Sequence, residues 1–180
     1  YVYLLFESEA GVRALLQSCR QFGNDDRYAL DLCPMASHLD APFKKVEVVP
    51  WNVADARFGL NPFEVLEPGL SVFVGALHGT ITARGLAQVL NDLFGGVVYV
   101  GIDTDKDLYP IGSGRAMFGN RMSYMKAVEA EFVQITTPKF IRKIQIDPYL
   151  EGKVLCQTCN IELGTKFCRN TVTLVHFPRV

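Results

Sequence analysis

The chain has 180 residues, 49% of them apolar, which suffices for one large domain or two small ones with packed cores. The net charge of −1 excludes nucleic-acid binding driven by overall positive charge, so any such binding must rely on stacking, hydrogen bonds and local basic clusters. No run of about 18 apolar residues is present, and Glu7 and Glu9 interrupt the apolar start, so neither a membrane span nor a signal peptide is expected.

The five cysteines are an odd number without the regular spacing of a secreted disulfide framework. Free thiols together with a metal-binding pair are the favoured interpretation, and this usage favours a reducing compartment. We therefore interpret the chain as a fragment of an intracellular protein.

The first part of the chain predicts half of an α/β unit. YVYLLF at residues 1–6 alternates in the manner of a β-strand, and Ser8 is positioned to cap a helix. The apolar residues that recur at helical spacing are Val12, Leu15, Leu16 and Cys19. A loop-rich region then contains a short strand near residues 28–32 and leads to a strand at residues 45–50. Residues 51–70 have two prolines, two glycines and no sustained period, which predicts a linker that packs.

Residues 71–148 predict a complete unit. The elements, in order, are a strand at 71–77, a helix at 82–94 capped by Thr82, strands at 97–102 and 112–118, a helix at 121–134 and a strand at 139–146. This order predicts an α+β fold of the ferredoxin-like β-α-β-β-α-β type. Two helices would cover one face of the sheet, and the other face would stay open for function.

A sheet of this type binds single-stranded RNA when aromatic side chains point outward from its two central strands, because each stacked base contributes about 1–3 kcal/mol. An RNA-recognition motif carries them in a hexapeptide on its first strand and an octapeptide on its third. VFVGAL at 72–77 fits the hexapeptide with Phe73 outward. YVYLLF fits the octapeptide from its third position, with Tyr1 and Tyr3 outward. Core or cross-strand packing is the competing interpretation for each aromatic residue.

The second octapeptide, IGSGRAMF at 111–118, departs from the pattern because Ser113 and Arg115 occupy its outward positions. Arg115 can stack on a base or pair with a phosphate. Tyr99 on the neighbouring strand shares its outward parity with Val97 and Gly101. On the last strand Lys143 and Gln145 should point outward and offer a phosphate contact and a base-edge contact, with a solvated edge as the alternative for the lysine.

The C-terminal part of the chain has the cysteine spacing of a zinc site. Cys156 and Cys159 are separated by two residues, and Cys168 follows nine positions later. A tetrahedral site needs a fourth ligand, for which His176 is the later candidate. Buried or free thiols are the alternative.

Several stretches closely resemble the cytoplasmic polyadenylation element-binding (CPEB) protein family. They are PWNVADARF at 50–58, the run at 72–118 and KIQIDPYL at 143–150. The GALHG, NDLFGG, GIDTDK and YPIGSGR segments are not general features of RNA-recognition motifs, so the resemblance is specific. It extends from residue 1 to about Cys168.

The resemblance implies four regions. Residues 1–50 would be the C-terminal part of a first RNA-recognition motif, 51–70 a linker, 71–148 a second motif and 149–180 the start of a ZZ-type zinc domain. Tyr1, Tyr3 and Phe73 match motif positions that bind bases, and Arg115 occupies such a position with a different residue. Where the family has its next cysteines this chain has Thr173 and Pro178, so the zinc domain is expected to be incomplete.

The function implied by the resemblance is binding of uridine-rich elements in messenger-RNA 3′ untranslated regions, with control of translation and cytoplasmic polyadenylation. Translation or polyadenylation factors would be its partners and the cytoplasm its location, with shuttling to the nucleus left open. A protein-interaction module that uses the open sheet face is the alternative. An enzyme of the acylphosphatase type is not expected, because the GALHG turn has no obvious nucleophile or water-orienting residue.

Overall fold

The computed structural model describes residues 2–22, 27–32, 44–59, 68–138, 140–150, 155–156, 159–164, 166–168 and 173–175. The chain divides into two compact units, Tyr1–Asn52 and Val53–Val180. Within the described residues, no helix has the length and apolar character needed to cross a membrane.

The described residues of the first unit form a helix and a small antiparallel sheet. Helix α1 (Glu9–Gln17) is followed by β1 (Arg20–Gln21), β2 (Tyr28–Leu32) and β3 (Lys44–Val48), in the order β1-β2-β3. The helix and the last two strands agree with the sequence prediction. Ser8 has the extended backbone of a cap residue, but its side chain makes no capping hydrogen bond.

The strand predicted at residues 1–6 is wrong for the part that the structure describes. Residues 2–6 have no strand pairing, and their side chains are exposed, including Tyr3. A strand forms where a neighbouring strand supplies its backbone hydrogen bonds, and the sheet of this unit is built from β1, β2 and β3. Tyr1 lies outside the described residues.

The second unit is built around a six-stranded antiparallel sheet. Its elements are β4 (Arg57–Gly59), β5 (Ser71–Gly75), α2 (Ala83–Phe94), β6 (Val97–Thr104), β7 (Pro110–Phe118), α3 (Arg121–Ala130), β8 (Phe132–Thr136) and β9 (Ile141–Pro148). The strand order is β4-β6-β7-β5-β9-β8. Without the two edge strands, this is the predicted β-α-β-β-α-β unit with order β6-β7-β5-β9, which confirms the fold class. Two further strands, β10 (Lys166–Cys168) and β11 (Thr173–Val175), pair with each other.

The two edge strands were not predicted. Strand β4 lies in residues interpreted as linker, yet it pairs with β6. Strand β8 begins inside the segment predicted as helix, and it pairs with β9. Helix α3 ends at Ala130 because Glu131 adopts a positive φ of 59°, and the aromatic and β-branched residues that follow favour a strand.

The core lies between the helices and one face of the sheet. Fully buried strand residues on that face are Val72, Val74, Val100, Ala116, Ile144 and Ile146, and the helices contribute Leu86, Leu90, Ala127 and Val128. Thr82 caps α2 as predicted, since its hydroxyl oxygen accepts a hydrogen bond from the Gly85 amide at 3.0 Å. Burial raises the pKa of the Tyr124 hydroxyl on α3, against a smaller lowering by the Arg121 charge. Most residues that alternate with the buried ones are partly or fully exposed and form an open face, on which Ser71 and Met117 are buried.

Candidate nucleic-acid interface

A row of three unlike side chains crosses the centre of the open face. Phe73 on β5 lies opposite Arg115 on β7 and opposite Asp147 on β9. Its neighbours Val72 and Val74 are fully buried against the helices, so Phe73 points to the open face because side chains alternate along a strand. The row therefore places an aromatic ring between a cation and a carboxylate.

Two aromatic rings of this face lie over glycines. A Cβ atom added at Gly75 would lie 3.0 Å from the Phe73 ring, and one added at Gly101 would lie 2.7 Å from the Tyr99 hydroxyl and 3.3 Å from its ring. The absence of side chains at these glycines lets each ring lie against the sheet. Arg115 lies opposite both Phe73 and Gly101, so β7 carries a cationic residue between the two strands that bear these rings.

Arg115 is held in place by an aromatic ring and a hydroxyl group. Its guanidinium carbon lies 4.3 Å from the centre of the Tyr149 ring, and Nη2 donates to the Ser71 hydroxyl oxygen at 3.1 Å. The Tyr149 amide donates to the Ser71 carbonyl at 2.9 Å, which fixes the tyrosine beside β5. A planar cation stacked in this way is pre-organised for phosphate or base contacts.

Strand β9 carries a connected pair of polar side chains. Gln145 and Asp147 share the open face, and the Gln145 amide nitrogen donates to an Asp147 carboxylate oxygen at 2.7 Å. Gln145 also lies opposite Phe132 on β8, and the Lys143 ammonium lies 4.3 Å from the centre of that ring. The added strand β8 therefore widens the open face by one aromatic residue.

Ser113 is engaged by a carboxylate on the neighbouring strand. Its hydroxyl group donates to Asp103 at 2.6 Å, and both side chains are half-buried. The second octapeptide position that departs from the aromatic pattern thus forms a polar pair within the sheet.

The structure brings five of the predicted RNA-contacting residues onto the open face of the second unit. They are Phe73, Tyr99, Arg115, Lys143 and Gln145. Tyr3 belongs to the first unit and lies outside its sheet, and Tyr1 is outside the described residues. The predicted outward parity of Val97 is wrong, because an irregularity between Val97 and Tyr99 turns Val97 towards the helices.

Three residues of this face, Asp147, Tyr149 and Phe132, were not predicted from the sequence. Asp147 and Tyr149 continue the outward alternation that begins at Lys143, so the signal was present in the strand parity. Phe132 was missed because its segment was predicted as helix. Extending the alternation to residue 149 would have found the first two.

The predicted zinc pair lies in a hydrogen-bonded turn. The Cys156 amide donates to the Glu162 carbonyl at 2.7 Å, and the Asn160 amide donates to the Cys156 carbonyl at 2.8 Å. The Cys159 sulfur accepts from the Ile161 and Glu162 amides, each at 3.5 Å. Two cysteines at this spacing on one hydrogen-bonded turn would supply two of the four ligands of a tetrahedral zinc site.

Further zinc ligands are not identified in the part of the chain that the structure describes. No group of three or more His, Cys, Asp or Glu side chains suited to a metal occurs among those residues. The Cys168 backbone lies in β10, but its side chain and all of His176 fall outside the described parts.

This chain is similar in sequence to one family model and to proteins of other organisms. Residues 142–179 match the family model described as the cytoplasmic polyadenylation element-binding protein ZZ domain. The chain is 50% identical over 180 residues to cytoplasmic polyadenylation element-binding protein 1 of Carassius auratus, covering 99% of this chain and 32% of that protein. It is 41% identical over 174 residues to cytoplasmic polyadenylation element-binding protein 3 of Caenorhabditis remanei, covering 94% of this chain and 22% of that protein.

The chain thus spans a third or less of the length of these curated relatives. A solved structure, the crystal structure of RNA binding protein PG1, matches 46% of this chain and 96% of its own with 23% identity and a TM-score of 0.40.

Proposed function

Since this chain belongs to the cytoplasmic polyadenylation element-binding protein family, we propose that it binds uridine-rich single-stranded RNA through the open face of its second unit. The observation that carries this proposal is the pair of rings, Phe73 and Tyr99, which lie over glycines on the two strands that flank the strand of Arg115. Phe73 lies on a central strand, where an outward aromatic ring of such a sheet stacks a base of a splayed single strand, and Tyr99 on β6 would extend that platform.

The charged residues of the face supply the remaining contacts. Arg115 and Lys143 are cations beside aromatic rings, where they can contact phosphates while bases stack nearby. With a chain net charge of −1, affinity depends on these local cations and on stacking. The activity is binding without a chemical step.

In the whole protein we propose that this binding selects messenger-RNA 3′ untranslated regions for control of translation and cytoplasmic polyadenylation in the cytoplasm. The partners in this role are translation or polyadenylation factors. The family membership supports this proposal, and the poly(A)-tail length of a reporter message with and without a uridine-rich element tests it. Equal tail lengths on both reporters would contradict it.

Fluorescence anisotropy with labelled oligouridine tests the binding proposal. Phe73→Ala removes one stacking ring and should weaken binding about 10-fold, in line with roughly 1–3 kcal/mol per stacked base. The matched control is Phe58→Ala, because Phe58 on β4 lies opposite the fully buried Val100 and under Arg84 of α2, on the helix side of the sheet. Equal weakening by both variants would contradict the proposed face. Absence of RNA binding with retained peptide binding would support the protein-interaction alternative.

We further propose that Cys156 and Cys159 supply two ligands of a zinc ion, which would stabilise the turn that holds them. Titration with cobalt(II) should give a thiolate charge-transfer absorption that Cys159→Ser removes. Cys19→Ser is the control, because the Cys19 thiol donates to the Leu15 carbonyl within the first unit at 3.2 Å. An unchanged spectrum in Cys159→Ser would show that the metal is held elsewhere.

A further inference from the structure

Phe73 has a carboxylate beside it on one neighbouring strand and a guanidinium on the other. We propose that Asp147 selects the base that stacks on Phe73, by accepting a hydrogen bond from a ring N–H at the edge of that base. This inference rests on the proposed RNA binding and assigns base selection at that site to one side chain.

The position of Asp147 suits contact with the edge of a stacked base. Neighbouring strands lie about 4.8 Å apart, so a base stacked on the Phe73 ring can reach β9 with one edge. Asp147 is the residue of β9 directly opposite Phe73. Its carboxylate is oriented by the Gln145 amide at 2.7 Å, and an ionised carboxylate has about four acceptor sites.

The chemistry of the bases makes an acceptor at this place selective. Uracil has a ring N–H between two carbonyl groups, whereas cytosine has at the same ring position a nitrogen with a lone pair. A carboxylate aligned with that ring position accepts a hydrogen bond from the first and repels the second, and the amino group of cytosine lies to one side of that line. Guanine shares the ring N–H beside a carbonyl and adenine does not, so Asp147 favours uracil over cytosine and guanine over adenine.

Arg115, on the other side of Phe73, has a different role. Its guanidinium offers only donors, and it is held by the Tyr149 ring and the Ser71 hydroxyl. It contacts the C2 carbonyl or phosphate oxygens, which uridine and cytidine share. Asp147 is therefore the residue that recognises the ring N–H of the base.

The test compares the affinities of the full 180-residue chain for oligouridine and oligocytidine of equal length. Asp147→Asn keeps the shape of the side chain, but its amide can donate as well as accept. The ratio of the two affinities should fall about 10-fold, the lower end expected for a hydrogen bond to a charged group. Use of a ratio cancels the general gain in RNA affinity that follows from removing a negative charge.

Two further variants isolate the effect. Asp107→Asn makes the same charge change at an exposed carboxylate in the turn between β6 and β7, and it should leave the ratio unchanged. In a Phe73→Ala background, Asp147→Asn should no longer alter the ratio of the two affinities, because the base that Asp147 contacts no longer has a ring on which to stack.

A modified probe tests the same contact without a mutation. Oligouridine methylated at the ring nitrogen lacks the N–H donor, and the wild-type chain should bind it about as weakly as oligocytidine. If wild-type binding survives methylation, or if Asp147→Asn changes the affinity ratio no more than Asp107→Asn does, the selection role is wrong while RNA binding stands. If the wild-type chain binds no single-stranded oligonucleotide, the proposed function fails as well.

Discussion

Arg115 stands where an aromatic residue is expected in an RNA-recognition motif, and its contacts explain how a cation serves there. The flat guanidinium stacks on the Tyr149 ring at 4.3 Å while one nitrogen donates to Ser71 at 3.1 Å. A lysine cannot make both contacts, because its charge is a compact ammonium without a planar fork. The position therefore requires arginine specifically, beyond its charge.

Arg115→Lys should weaken oligouridine binding about 5-fold, because it keeps the charge and loses a stacked contact worth about 1 kcal/mol. Anisotropy titration measures the change. Arg121→Lys, at the exposed start of α3, is the matched control and should bind as the wild type does. Unchanged binding in Arg115→Lys would mean that only charge matters at this position.

For single residues, the alternation of side chains along each strand predicted most of the side chains that point to the open face of the second unit. Phe73 and Arg115 were placed correctly on the open face because their strand neighbours Val72, Val74 and Ala116 are buried against the helices. Parity failed at Val97, where an irregularity in the β6–β7 pairing reverses the direction of the side chain. Such an irregularity depends on the partner strand and leaves no pattern within one segment.

At the scale of elements, the junction between α3 and β8 decides how wide the open face is. Glu131 has φ of 59° and accepts a hydrogen bond from the Ile146 amide at 2.8 Å. This backbone turn ends the helix and places Phe132 opposite Gln145. A non-glycine residue in this conformation carries strain.

Glu131→Gly should raise the free energy of unfolding by about 1 kcal/mol, because glycine adopts positive φ without the steric cost of a Cβ atom. Urea unfolding followed by circular dichroism measures it. The control is Glu129→Gly in the last turn of α3, which should lower stability by roughly 0.5–1 kcal/mol because glycine is a poor helix former. A loss of stability in both variants would contradict the strain at Glu131.

The order of the central elements was predictable from the sequence, whereas the edge strands were not. The strands β5, β6, β7 and β9 are long enough to show alternation, and α2 shows its helical period behind Thr82. Strand β4 has three residues, too few for a period, and is defined by its pairing with β6. Residues 2–6 show the converse, because their strand-like sequence is not part of the sheet β1-β2-β3 that the described residues of the first unit form.

At the scale of the whole molecule, the two units differ in how much core they build. In the second unit, strands and helices bury a continuous set of apolar side chains. Among the described residues of the first unit, Ala29 is the buried apolar residue, and α1 buries none. Since apolar burial is the main stabilising contribution, the first unit should be the less stable of the two.

Urea unfolding should therefore show two transitions. Fluorescence of Trp51, the single tryptophan and part of the first unit, should change at a lower urea concentration than the main circular dichroism signal. Phe73→Ala should leave the Trp51 transition in place, since the two residues belong to different units. Coincident transitions by both probes would contradict a difference in stability.

We propose that the open face of the second unit binds single-stranded RNA. Mapping of amide chemical shifts during an RNA titration shows which residues make the contact. The isotope-labelled chain is titrated with oligouridine, and the shift of each backbone amide is followed. We expect the largest changes on β5, β7 and β9, centred on Phe73, Arg115 and Asp147. Changes concentrated on α2 and α3, or confined to the first unit, would contradict it.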